Sequence, residues 1–158
     1  VGRLDLPESY GTPRGEIGLL PWAHAEQRLT EAQHYWLCTV RPDGQPHAIP
    51  IQGLWHDGAL YFGGDPATRW ARNLTANPAV TIHLESGSDV VIVEGLAENV
   101  SDLSTTLISA LAAASGTKYG FTPPPEAYAS GVCRVRPRRV LAWNQFLTNA
   151  TRFTFPAA

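Results

Sequence analysis

Two Asp-Gly pairs, Asp43-Gly44 and Asp57-Gly58, constrain this chain more than any other feature. Each lies between two short runs of apolar, β-branched or aromatic residues, and that combination is a strong local signal for an antiparallel hairpin. Tyr35 to Val40 reads as the first strand, His47 to Trp55 as the second and Ala59 to Phe62 as the third. Pro50 and Gly53 interrupt the second, which predicts an edge or a bulge where backbone is free to meet a ligand. A meander of this kind is not an alternating strand–helix fold.

The flanking segments extend the pattern. Trp22, Ala25, Leu29 and Ala32 recur at steps of three and four and predict a helix with one apolar stripe. His24 and His34 fall off that stripe and read as surface histidines. Residues 1–20 carry prolines and glycines without periodicity and are expected to form an arm, lying along a partner subunit. Residues 21–158 form a single domain. Val80–Leu84 and Val90–Ala97 read as strands, the latter β-branched and central. Ser101-Asp102 is expected to cap a helix reaching about Ala114, with Leu103, Leu107, Ala110 and Leu111 on its apolar face. Gly116–Pro125 reads as an irregular loop. Gly131–Arg136 and Val140–Trp143 read as two strands separated by Pro137-Arg138-Arg139, and Thr151–Phe155 as a last short strand. The reading is mainly β with inserted helices, six or seven antiparallel strands in a small closed or half-closed barrel.

Charge narrows the functional classes. Only 16% of the 158 residues are charged, against an average of about 25%. A face covered by a second copy, a homodimer, accounts for this most simply. A formal net charge of −2 argues against binding a nucleic-acid backbone. No apolar run has membrane-spanning length, and Val-Gly-Arg-Leu-Asp-Leu-Pro is not a signal peptide. Cys38 and Cys133 sit in strand-like runs and read as buried thiols. The expected compartment is therefore the cytoplasm. His47, His56 and His83 have no metal-ligand spacing, so no metal is expected. His47 and His83 read as structural histidines. No serine sits in a nucleophile elbow, and no dinucleotide fingerprint opens a strand–helix unit.

What remains is one anion-binding stretch. Gly63 and Gly64 let the backbone turn or approach a ligand closely. Asp65 is expected to cap a helix with Pro66 at its first position. A helix start presents free amides and partial positive charge, and Thr68, Arg69 and Arg72 add a hydroxyl and two guanidinium groups. Together they suit a phosphate. The competing reading is a capped surface helix with solvated arginines. If the site holds a phosphorylated flat heterocycle, backbone around Pro50–Gly53 is placed to bond its polar edge, and Trp55, Trp70 or Trp143 to cover a ring face.

The order of these segments resembles the pyridoxamine 5'-phosphate oxidase-like family, and within it the actinobacterial flavin and deazaflavin oxidoreductases. The resemblance runs from about Trp22 to Phe155. It rests on Trp36-Leu37-Cys38-Thr39-Val40 with Asp43-Gly44-Gln45-Pro46-His47, on Leu60-Tyr61-Phe62, on Thr68-Arg69-Trp70-Ala71-Arg72-Asn73-Leu74 with Asn77-Pro78, and on Val93-Glu94-Gly95. It implies an FMN-binding type of split β-barrel and a homodimer with cofactor sites at the subunit interface, for FMN or the 5-deazaflavin F420. The implied cofactor-binding residues are His47, Ile49, Pro50, Gln52, Phe62, Gly63, Thr68, Arg69, Trp70, Arg72 and Asn73, with Tyr119 and Trp143 on the substrate side. The family often has lysine where this chain has Trp70. An indole cannot neutralise phosphate, so either Arg69 and Arg72 compensate or the site is altered. The resemblance implies an oxidoreductase that moves hydride to or from a small organic molecule and needs no dedicated acid–base side chain. The alternatives are a non-catalytic flavin, deazaflavin or haem carrier, and an apo structural dimer if Trp70 blocks the pocket. Oxidation of pyridoxamine 5'-phosphate itself is disfavoured, because that enzyme's substrate-phosphate residues have no match here.

Overall fold

The computed structural model describes residues 1–157. The chain runs β1 (Gly2–Arg3), α1 (Trp22–Glu31), β2 (Tyr35–Val40), β3 (Pro46–Ile51), β4 (Leu54–His56), β5 (Ala59–Phe62), α2 (Arg69–Ala76), β6 (Ala79–His83), β7 (Val90–Val100), α3 (Thr105–Tyr119), β8 (Val132–Trp143), α4 (Phe146–Asn149) and β9 (Thr151–Thr154). Both Asp-Gly pairs close hairpins. Asp57 (φ 47°) and Gly58 (φ 72°) are both left-handed, the mirror-image turn whose twist suits the β4–β5 pair. Between β2 and β3 Gly44 alone is left-handed (φ 87°), at the end of a turn in which its amide donates to the Arg41 carbonyl at 2.8 Å.

All strand pairs are antiparallel, in the order β1-β9-β8-β7-β6-β2-β3, with β5 joined to β8 and β4 to β5. On one side β8 pairs with β7 along its length. Its other side is divided between β5, at Cys133–Val135, and β9, at Arg139–Ala142. That division makes a split β-barrel. The sheet does not close: β3 and β4 are both edge strands, joined through Gln52 and Gly53, and β1 is a third edge.

Alternation decides the inside. Tyr35, Leu37 and Thr39 of β2 are buried while Trp36, Cys38 and Val40 are half-buried on the other face. The main core gathers Leu29 of α1, Leu37, Trp55, Phe62, Ile82, Val93 and Val140. A second, smaller cluster lies under α3 and joins Ala59, Tyr61, Leu111, Tyr128 and Val132.

Four expectations change. The second strand divides into β3 and β4 at Gly53, where a Cβ would come within 3.2 Å of Leu60 and of the Tyr61 carbonyl. The two strands expected around Pro137 are one, β8. Its proline sits opposite Gly95 at a β-bulge, where the ladder is already irregular and no amide is required. With β1 added, nine strands form instead of six or seven. The third helix runs past Ala114 to Tyr119, through Gly116, and stops at Gly120 (φ 70°). Within the chain the arm is tied to the sheet at its start and at its end: β1 pairs with β9, Leu4 donates to the Ala150 carbonyl and Leu20 to Thr151 Oγ1.

Candidate functional site

The corner after β5 is built differently from the simple Asp65 cap. Asp65 Oδ1 accepts from the Ala67 amide at 2.7 Å and its carbonyl from the Thr68 amide, which closes a turn over Pro66 and Ala67. The helix starts only at Arg69, with Thr68 as cap, its Oγ1 accepting from the Ala71 amide at 3.3 Å. Arg69 is thereby the first helical residue. Arg69 and Arg72 are both exposed, and among the described residues neither has an ion pair or hydrogen-bond partner. Two unpaired guanidinium groups flank the positive end of α2.

The residue between them turns away. Trp70 is 9% exposed, sits edge-on to Phe62 with centroids 5.3 Å apart, and belongs to the main core. Its indole lies directly beneath Gly64, where an added Cβ would meet Trp70 Cζ2 at 2.7 Å. Gly63 has nothing within 4 Å of the same position. Neither glycine is left-handed, so the pair is not there to permit a turn. Gly64 makes room for the indole, and Gly63 leaves backbone bare toward solvent.

Polar groups tie α2 to the sheet. Asn73, one turn after Arg69, is fully buried and its Nδ2 donates to Thr39 Oγ1 at 3.0 Å. Thr39 is the cross-strand partner of His47. Asn73 Oδ1 and His47 Nδ1 are buried without a hydrogen-bond partner. By register, His47 and Ile49 share the inner face with Leu37 and Thr39, whereas Pro50 faces outward beside Trp36. Pro50 therefore serves an inner ligand only through its backbone. Ile49 is 36% exposed on a strand with one free edge.

The barrel opening is held by the end of α3. Tyr119 Oη accepts from the Gly53 amide at 3.0 Å and bonds the Gly53 and Gln33 carbonyls at 3.0 and 2.9 Å. Lys118 Nζ donates to Tyr35 Oη at 2.9 Å and to the Gly53 carbonyl at 3.3 Å. Burial lowers the Lys118 ammonium to about 8 and raises the Tyr35 hydroxyl well above its usual value. Gly53 is thus already engaged on both its polar groups and is not free for a ligand.

Two clefts meet at the corner. One, of about 410 Å³, lies between α2 and the paired ends of β7 and β8, over Trp70, Leu74 and Cys133. The other, of about 430 Å³, opens under α3 beside Gln52, Phe62 and Tyr119. Both are walled by Gly63 and Gly64. His47, Ile49, Arg69 and Arg72 line neither and lie on the adjoining open surface.

Of the residues named from sequence, Gln52, Phe62, Gly63 and Tyr119 line the cleft under α3, Gly63 and Trp70 wall the other, Thr68, Arg69 and Arg72 stand at the start of α2 after the same corner, and Asn73 ties α2 through Thr39 to the strand pair that carries His47. Trp143 joins none of these. It pairs with Val90, four strands across from β3, and packs on Phe146. Trp55 and Trp70 are both core, so neither is free to cover a ring at the corner. His24 is not a surface histidine but 16% exposed and bonded to Asp89; His83 stacks on Trp36. Burial, reinforced by Glu98, raises the Cys133 thiol to about 12, and burial also raises Cys38, so both thiols stay protonated. The described residues hold no His, Cys, Asp and Glu group able to bind a metal, and no helix is long and apolar enough to cross a membrane.

Sequence reasoning missed Lys118, Ser115, Phe121 and Tyr128. The available signal was Leu111, Ser115 and Tyr119 at steps of four, one face of a helix. Ending the helix at the Ser115-Gly116 pair hid it. Gly116 stays helical because Thr122 packs against it, leaving no room for a side chain.

Comparison with known proteins agrees with this architecture. Residues 22–144 match the pyridoxamine 5'-phosphate oxidase family. No curated protein matches the sequence. Among solved structures, an F420 reductase is 30% identical, with 72% of this chain and 94% of the other covered and a TM-score of 0.54. General stress protein 26 of Bacillus anthracis is 21% identical, with 84% and 97% covered and a TM-score of 0.65. HutZ, the haem storage protein of Vibrio cholerae, is 19% identical, with 77% and 91% covered and a TM-score of 0.58. The last two likenesses concern the fold alone.

Proposed function

Since the chain belongs to the pyridoxamine 5'-phosphate oxidase family, we propose that it is an oxidoreductase using F420 or FMN, working as a homodimer and moving hydride to or from a small organic substrate. One observation carries this reading. Arg69 and Arg72 stand unpaired at the capped start of α2, a few residues after bare Gly63 backbone, and Asn73 ties that helix through Thr39 to the strand pair that carries the partnerless His47 Nδ1. Positive charge without a protein partner, together with open backbone and a buried nitrogen with nothing to bond, suits a phosphorylated ligand with a polar ring edge.

The residues present fit the group. Thr68, Arg69 and Arg72 hold the phosphate, and the missing lysine at Trp70 is compensated by two guanidinium groups. Gly63 lets the ligand approach the backbone. His47, Ile49 and the Pro50–Gln52 backbone lie along the ring, and Phe62 and Asn73 support the corner from beneath. When bound, the flavin or deazaflavin supplies the hydride chemistry; the protein binds, orients and excludes water. The likeness to an F420 reductase supports the deazaflavin, and the family supports FMN. The free edge of β3, with Ile49 exposed, is the surface a second subunit covers.

The test is to purify the protein from a host that makes both cofactors and to identify what it releases by absorbance and mass. The apo protein is then titrated with each. Micromolar or tighter binding of one supports the reading, and reoxidation of the reduced complex by an added substrate supports turnover. Failure to bind either refutes it. A second reading, a carrier of flavin, deazaflavin or haem, is favoured by the absence of any acid–base pair at the corner and by the likeness to a haem storage protein; a bound group that no substrate reoxidises supports it.

A further inference from the structure

The cleft under α3 has a chemistry distinct from that of the corner. Leu111, Ser115 and Tyr119 form one wall, Tyr61 the floor, and Tyr128 and Val132 the opposite wall. It is the open end of the second hydrophobic cluster, to which Tyr61, Leu111, Tyr128 and Val132 belong. No Asp, Glu, Lys, Arg or His lines it. Its polar side chains are all uncharged: Ser115 Oγ donates to the Phe121 carbonyl at 2.6 Å, the Tyr119 hydroxyl is bonded to Gly53 and Gln33, and Gln52, Tyr61, Tyr128 and Ser130 add neutral polar groups. Two cations stand behind its walls and both are engaged: Lys118 directs its ammonium to Tyr35 and Gly53, and Arg134, the cross-strand partner of Tyr61, is paired with Glu98. At the mouth stands Phe121, a large aromatic 63% exposed on a proline-rich loop.

The geometry points to a binding site for an uncharged, flat and largely apolar molecule, which closes against Phe121 and excludes phosphorylated or carboxylated compounds. An anion entering this cleft would lose water and meet no unpaired cation in return, a net penalty. A neutral ring loses no such hydration and buries its faces against tyrosine and leucine. The cleft shares Gln52, Phe62 and Gly63 with the proposed cofactor corner, so such a molecule lies at the edge of the ring site. This assignment of substrate class rests on the cofactor reading; the occupancy of the cleft does not.

The full chain, stripped of any bound cofactor, is titrated with 1-naphthol and 1-naphthyl phosphate, which share a ring and differ in charge. The phosphate is measured in Arg69→Ala so that the corner does not report. Naphthol should bind at least tenfold more tightly, and Phe121→Ser, a change at an exposed position, should weaken it at least threefold. Ser115→Gln, which fills the cleft from α3, should weaken it further. Equal or tighter binding of the phosphate, no binding of naphthol, or naphthol binding indifferent to both variants each overturns the assignment. Because no cofactor is present, a failure here is separate from a failure to bind FMN or F420.

Discussion

Gly63 and Gly64 look equivalent in sequence and are opposites in the structure, which makes them a sharp test of how the corner is built. Neither has a left-handed backbone, so alanine at either position incurs no φ strain. At Gly64 the new methyl would lie 2.7 Å from Trp70 Cζ2, more than half an ångström inside normal contact. The indole is wedged against Phe62 in the core and cannot swing away freely. Overpacking of this kind costs about 1–3 kcal/mol. For a chain of this size that is a fall in Tm of about 2–12 °C. At Gly63 the methyl meets nothing; Gly63→Ala should leave stability within about 0.5 kcal/mol or raise it slightly by restricting the unfolded chain. In a Trp70→Leu background the clash disappears, so Gly64→Ala should cost less than about 0.5 kcal/mol and the pair should show a coupling of about 1–2.5 kcal/mol. Urea denaturation of the four proteins of the cycle, with Gly63→Ala as control, measures all of this. Equal effects at the two glycines, or an undiminished cost once Trp70 is gone, would refute the account of Trp70 as the floor of the corner. Gly63→Ala carries a second reading: although stable, it should weaken cofactor binding, because its methyl occupies the space the ligand approaches.

The other expectations concern charge. Arg69→Ala should weaken FMN or F420 binding by about 1.5–3 kcal/mol, roughly ten- to a hundredfold in Kd, if its guanidinium meets the phosphate; calorimetry showing unchanged affinity would move the phosphate elsewhere. Lys118 is lowered to about 8 by burial, so the folded state resists its charged form. The unfolded chain holds the proton more tightly, and the penalty is complete below pH 8 and fades as pH rises toward the ordinary lysine value. Lys118→Met should therefore gain Tm relative to the parent near pH 7 and lose that advantage by pH 10; a pH-independent difference would contradict it. Burial works to raise the Asp89 carboxyl, but hydrogen bonds from His24 and Arg28 outweigh it and hold the group below its usual value. Its stabilisation is present above the ordinary carboxylate pKa and is lost as pH falls through the lowered folded value. Asp89→Asn should accordingly flatten the acid limb of a pH–stability curve and leave the cofactor titration unchanged.

Much of the fold was legible because its signals are local. Asp57-Gly58 must adopt a turn that few other residue pairs tolerate, and the period-two burial of Tyr35, Leu37 and Thr39 needs only the pleat of a strand. The arginines at the start of α2 were legible for the same reason, since a helix end and its flanking charge lie within one turn. What local pattern could not supply was position in three dimensions. Pro137 reads as a break, yet β8 runs through it because the ladder with the distant strand β7 is irregular there, Arg138 being left unpaired between Pro137, opposite Gly95, and Arg139, opposite Glu94. Trp70 read as a possible ring cover and is core, because only the folded sheet brings Phe62 and Gly64 against it. Tyr119 read as a ligand contact from its position alone; it lines the cleft under α3, and only the closed barrel brings its hydroxyl to Gly53 and Gln33. Hydrogen bonds within a turn are settled by neighbours in sequence; burial and pairing across a sheet are settled by residues the chain meets only once it has closed on itself.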